Sequence, residues 1–222
     1  MVGFLVFSYE FLVLKYMMRT IVGCLPLWAF GLLFLVCSCS EKDNDLEEYP
    51  NWKENNESYW QELYNATQQK IEAGDNSWRM YPKYSLVSTE GLKPTDYIIV
   101  HVVEEGEGTT SPIYTDTVRV HYRGQLLPST SYSAGYQFDS SYTGDLNYNT
   151  AIPSKFAVSA VIPGWTTALQ KMHVDDQWDI YIPYQLGYGS NKQNSIPAYS
   201  TLIFDVALVE FWHANEKGSK EL

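Results

Sequence analysis

The chain has 222 residues, a net charge of −11 and a pI near 4.7. A surface this acidic lacks the positive field that phosphate backbones require, which excludes nucleic acid as a partner. The three cysteines, Cys24, Cys37 and Cys39, all fall early, so nothing after Cys39 can form a disulfide, a thiolate metal site or a thiol nucleophile. Eighteen Tyr and seven Trp remain, which suit strands and sites that are half apolar and half wet.

In chain order, residues 20–38 are uncharged and apolar and follow Lys15 and Arg19. This reads as a signal peptide over residues 1–38. Its length also approaches that of a membrane span, so a transmembrane anchor is the alternative. Ser38 before Cys39 resembles the lipobox of bacterial lipoproteins. On that resemblance Cys39 is the lipidated first residue of the mature protein. The chain would then sit on a membrane of the bacterial cell envelope, on its periplasmic or surface-exposed side. The acidic "SEKDND" that follows resembles the export signal of surface lipoproteins in Bacteroidetes-type bacteria.

Residues 39–55, acidic and polar, read as a flexible tether. Tyr59, Leu63, Ala66 and Ile71 then recur at helical spacing, with Ser58 as N-cap and Gly74 as stop. They place a helix over 58–73 within an N-terminal helical extension, 56–95. That helix either packs on its own domain or makes a dimer. Beyond it, "DYIIVHVVEEGEG" (96–108) is a strand and a Gly-rich turn. "DTVRVHYRGQL" (116–126) alternates, with Val118, Val120 and Tyr122 on one face. Arg119, His121 and Arg123 fall on the other face, where His121 is expected to be solvated. After a long Ser/Thr/Tyr/Gly-rich stretch come the short strand "KFAVS", two helical turns in "WTTALQKMH", and the strands "DQWDIYIP" and "TLIFDVALVEFW". This order predicts an α+β fold, an antiparallel curled sheet of five to six strands wrapped round one short helix. A charged tail, 214–222, ends the chain.

The usual enzyme signatures are missing. His101, His121, His173 and His213 do not pair at metal-ligand spacing, and no G-x-S-x-G, P-loop or G-x-G-x-x-G occurs. No metal and no cofactor are expected, so catalysis would have to act through shape and desolvation. One stretch bears on this. In "AVIPGWTTAL" (160–169) a Pro-Gly pair turns the chain and Trp165 opens the short helix, either as core or as the floor of a pocket.

Five pieces, "VRVHYRGQL", "FDSSY", "VIPGWTTALQKM", "IPYQLGYG" and "IPAYSTLIFDVALVEF", stand in the order and spacing of the FKBP-type peptidyl-prolyl isomerases, bacterial lipoprotein type. The resemblance covers residues 96–213 and implies an FKBP-like domain whose hollow, between helix and sheet, takes the substrate's proline. It implies a catalytic set of Tyr122, Asp139, Tyr188 and Phe204. Phe138, Val161, Ile162, Trp165 and Ile196 would bind substrate, with Trp165 as floor. The Ile162 N–H and the Tyr188 hydroxyl would meet substrate carbonyls, and Tyr122 would hold Asp139 beside the twisting amide. The implied partners are proline-containing polypeptides among exported or envelope proteins, and macrolide inhibitors. The alternative is a weakly active or non-catalytic peptide-binding or chaperone lipoprotein of the same fold. It draws on departures from the family pattern at Ser154, Pro163, Gly187 and Ser195, and on insertions around 128–137 and 143–152.

Overall fold

A computed structural model describes residues 47–216. The signal peptide, Cys39, the first part of the tether and the end of the tail lie outside the described residues. The elements are α1 (Trp52–Glu72), β1 (Trp78–Pro82), β2 (Tyr97–Glu104), β3 (Thr117–Gln125), β4 (Gln137–Ser140), β5 (Ser154–Ala157), α2 (Pro163–Leu169), β6 (Gln177–Ile182) and β7 (Leu202–Trp212). The strands form one antiparallel sheet in the order β1-β2-β6-β7-β3-β4. β5 shares the outer edge of β3 with β4: Thr117–Val120 pair with β5 and Arg123–Gln125 with β4.

The expected alternation of β3 puts Val118, Val120 and Tyr122 into the core. Ile180 and Ile182 from β6, and Leu202 and Val206 from β7, join them in one cluster. α2 lies against this cluster and is buried from Gly164 to Leu169. Pro163 opens it, where a missing N–H costs nothing. Gly164 lets it sit close, since a Cβ there would fall 2.4 Å from Ile182 Cγ2. The hydroxyls of Thr166 and Thr167, buried with the helix, donate to the carbonyls of Val158 and Pro163 at 2.8 Å each.

Three expectations are corrected. α1 begins at Trp52, not Ser58, so residues 52–55 are helix and not tether. Its buried face is Trp52, Asn56, Trp60 and Thr67, whereas Ala66 and Ile71 of the expected apolar ladder are exposed. That face is fixed by tertiary contacts: the Trp60 indole N–H donates to the Pro94 carbonyl at 3.0 Å. Gly74, the expected stop, does follow the helix, in the left-handed region at φ 86°. Second, the 56–95 segment is not only helical, because residues 78–82 pair with β2 as an edge strand. Third, His121 is 3% exposed and not solvated. Tyr148, from the inserted stretch 143–152, meets its ring edge-on at 5.5 Å, and Tyr142 does so at 6.5 Å. The insertion thus covers part of the sheet's outer face, which strand alternation alone assigns to solvent.

Candidate active site

A hollow of about 350 Å³ opens between α2, the sheet and the β6–β7 loop. All nine residues expected there line it: Tyr122, Phe138, Asp139, Val161, Ile162, Trp165, Tyr188, Ile196 and Phe204. The structure adds Phe156, Ala160, Gln193, Asn194 and Ser195. Phe156 escapes sequence reasoning because its four-residue strand is too short to show which face is buried. Gln193 and Asn194 sit in a turn whose polar residues look like ordinary surface.

Trp165 is the floor. It is 4% exposed, and three rings meet it at steep angles: Phe204 at 5.2 Å, Tyr122 at 5.3 Å and Phe156 at 5.6 Å. Edge-to-face geometry matches positive ring edges to negative faces and holds the rings rigidly. The indole N–H is buried and has no hydrogen-bond partner among the described residues. Phe138 meets Phe204 at 5.5 Å and 87°. A glycine on β3 makes that wall: a Cβ on Gly124 would lie 2.6 Å from the Phe138 ring and 2.7 Å from the Phe204 ring. The register between β3 and β4 shifts here, with Gly124 opposite Asp139 and Gln125 opposite Gln137. A bulge of this kind lets two consecutive residues, Phe138 and Asp139, face the same hollow.

The polar groups lie at the rim. Asp139 is exposed; its Oδ2 accepts the Tyr122 hydroxyl at 2.7 Å and its Oδ1 accepts the Ser140 N–H at 2.9 Å. Among the described residues no Lys, Arg or His forms an ion pair with it. Burial, then the hydrogen bond and charge of Asp139, push the Tyr122 phenol far above its ordinary value, so it stays protonated. Tyr188 is 37% exposed, and its hydroxyl makes no hydrogen bond within the described residues. Burial, then the Asp139 charge, raise its pKa as well. The Ile162 carbonyl caps α2 by accepting the Thr166 N–H at 3.0 Å, while the Ile162 N–H has no acceptor among the described residues. Over the mouth, Gln193 and Ile196 exchange N–H···O bonds of 2.9 and 2.8 Å, with Asn194 at a positive φ of 51° in the turn. Asn tolerates that conformation better than most residues.

The hollow therefore offers an aromatic well with Asp139, the Tyr188 hydroxyl and the Ile162 N–H about its lip, beside the polar residues Gln193, Asn194 and Ser195. It offers no nucleophile activated by a base: the carboxylate's partner is a phenol held neutral.

Residues 108–209 match the family model described as FKBP-type peptidyl-prolyl cis-trans isomerase. The FKBP-type 22 kDa peptidyl-prolyl cis-trans isomerase of Escherichia coli (strain K12) is 41% identical over 123 residues, which are 54% of this chain and 53% of that protein. FK506-binding protein 2 of Aspergillus oryzae is 35% identical over 124 residues, 56% of this chain and 86% of that protein. Among solved structures, the crystal structure of FkpA from Escherichia coli aligns with a TM-score of 0.51 at 29% identity, covering 73% of this chain and 62% of that one. The chain belongs to the FKBP-type peptidyl-prolyl cis-trans isomerase family. It spans about half the length of the Escherichia coli 22 kDa relative, 53%.

Proposed function

We propose that this chain is a peptidyl-prolyl cis-trans isomerase that accelerates rotation about X–Pro bonds in exported or envelope proteins. One observation carries the reading: nine residues scattered from 122 to 204 line a single aromatic hollow. An unaided X–Pro bond rotates over tens to hundreds of seconds against a barrier of about 20 kcal/mol. Planar amides carry resonance charge on the carbonyl oxygen, and twisting removes it. An apolar well therefore disfavours the planar amide more than the twisted one, and preferential binding of the twisted form is the catalysis. The proline ring would rest on Trp165, the Ile162 N–H and Tyr188 hydroxyl would hold flanking carbonyls, and Asp139 would orient charge beside the bond. The test is protease-coupled cleavage of a proline tetrapeptide. Acceleration supports the reading, and an uncatalysed rate at micromolar chain rejects it.

Three further parts belong to the proposal. Macrolides would compete for the same hollow, which competition with a proline peptide checks. The chain would be lipidated on Cys39 and held on an envelope membrane; the apolar run before Ser38 and Cys39 supports this. Any dimer through α1 would use its outward face, because Trp52 and Trp60 are buried in the chain's own domain.

A second reading, a peptide-binding or chaperone module with little turnover, has two observations in its favour. Among the described residues Asp139 has no cationic partner, and Gln193, Asn194 and Ser195 make one side of the mouth polar. Peptide or macrolide binding without acceleration would select it.

A further inference from the structure

The family match begins at residue 108, yet the loop that closes the pocket is held from outside that match. The β6–β7 loop, residues 183–201, carries Tyr188 and Ile196. Both of its feet rest on the first turns of α1. At the far foot the Trp52 indole N–H donates to Ser200 Oγ at 2.9 Å. The Ser200 hydroxyl in turn donates to the Pro197 carbonyl at 2.7 Å, next to Ile196. One turn along, Asn56 is fully buried; its Oδ1 accepts the Thr201 N–H and its Nδ2 donates to the Trp52 carbonyl, both at 2.7 Å. At the near foot the Tyr184 hydroxyl donates to Glu57 at 2.9 Å. The Gly189 N–H returns to the Tyr184 carbonyl at 2.8 Å, closing the turn that holds Tyr188. Tyr199 joins the two feet: its N–H donates to the Gly189 carbonyl at 2.9 Å, and Lys53 lies 5.0 Å over its ring.

A buried asparagine on a helix face is costly unless both ends of its amide are bonded. Asn56 meets that condition only by tying the helix backbone to the loop. The loop is 19 residues long and its internal bonds are local turns at Tyr184–Gly189, Gln193–Ile196 and Pro197–Ser200 and one Tyr199–Gly189 bond, so its seat on the domain depends on the contacts at its feet. We infer that Trp52 and Asn56 are positioning residues for the pocket, bracing the β6–β7 loop so that Tyr188 and Ile196 stand ready over the bound peptide. This rests on the isomerase reading for its activity readout. Binding then needs less ordering of the loop, so the brace acts on substrate affinity more than on the rotation step.

The experiment uses the full chain and three variants. Trp52→Phe keeps an aromatic ring and deletes the donor, Ser200→Ala deletes the relay, and the third variant combines them. The readouts are kcat and KM on a proline tetrapeptide, the Tm, and amide hydrogen exchange across residues 186–200. Each single variant is expected to lower kcat/KM roughly five- to tenfold, the scale of one net hydrogen bond, chiefly through KM. The combined variant should be no worse than either single one, because both break the same relay. Exchange should quicken within 186–200 and hardly elsewhere. Wild-type kinetics in both single variants, or exchange raised evenly over the domain together with a fall in Tm, would overturn the brace. If the unmodified chain accelerates nothing, the isomerase reading fails on its own. The exchange pattern then still decides the brace: a change confined to 186–200 upholds it and no change there rejects it.

Discussion

At the scale of single residues, the pair Tyr122–Asp139 carries the chemistry that can be tested most sharply. The carboxylate is exposed and accepts one hydroxyl at 2.7 Å, so removing it leaves the core untouched. Asp139→Val should lower kcat/KM at least tenfold, the scale of a charged hydrogen bond at about 1.5–3 kcal/mol, with the Tm nearly unchanged. Peptide kinetics and a thermal melt check both halves. Gly124→Ala should act in the opposite manner. Its methyl group would lie 2.6 Å from Phe138 and 2.7 Å from Phe204, so the rings must shift and the well must deform. Binding of a proline peptide should weaken while the β3–β7 ladder persists. Tyr122 also makes a pH prediction. Its pKa is raised in the fold, so the phenol remains protonated where an ordinary tyrosine, at 10.0, is half ionised. A pH–rate profile should show no loss from phenolate formation up to about pH 10.

The elements show what sequence can and cannot convey. β3 was readable because strict alternation marks one face, and "VIPGWTTAL" because Pro-Gly and a tryptophan punctuate a short helix. The buried face of α1 is hidden from the sequence because it contains Asn56 and Thr67, polar residues that break the apolar rhythm. Their burial depends on partners distant in sequence, such as the Thr201 N–H, which no local pattern reports. Alternation assigns His121 to solvent because it knows nothing of an inserted loop folding back over the sheet. Two histidines, His121 on β3 and His213 just after β7, should give opposite pH responses. Burial lowers the His121 pKa from 6.5, so the folded state binds fewer protons than the unfolded one. Its effect on stability is absent above about pH 6.5 and becomes a penalty as pH falls. His213 is raised from 6.5, first by its hydrogen bond to the buried carboxylate of Asp116 and then by that charge. Its contribution is complete below about pH 6.5 and is lost as pH rises through the raised pKa. Denaturant midpoints at about pH 5 and pH 8 check this. The gain of His121→Phe over wild type should grow towards acid, and the deficit of His213→Gln should shrink towards base.

Across the whole molecule, the family domain and the segment before it act as one unit. The helix that precedes the family match bonds to the β6–β7 loop at the pocket's rim through Trp52 and Asn56, so residues before 108 bear on the pocket. The same helix connects the domain to the stretch in which Cys39 lies. Palmitate labelling in a bacterial host should mark the chain and vanish in Cys39→Ala; label retained in that variant would contradict the lipid anchor. The acidic charge of −11 fits a chain that works without nucleic acid. On the proposed function the aromatic well turns over proline bonds by favouring the twisted amide. Protease-coupled cleavage of a proline tetrapeptide by the full chain, beside Asp139→Val, tests it most directly. The rate is expected to rise linearly with chain concentration and to fall at least tenfold in the variant. A rate equal to the uncatalysed one, or one that Asp139→Val leaves unchanged, would contradict it.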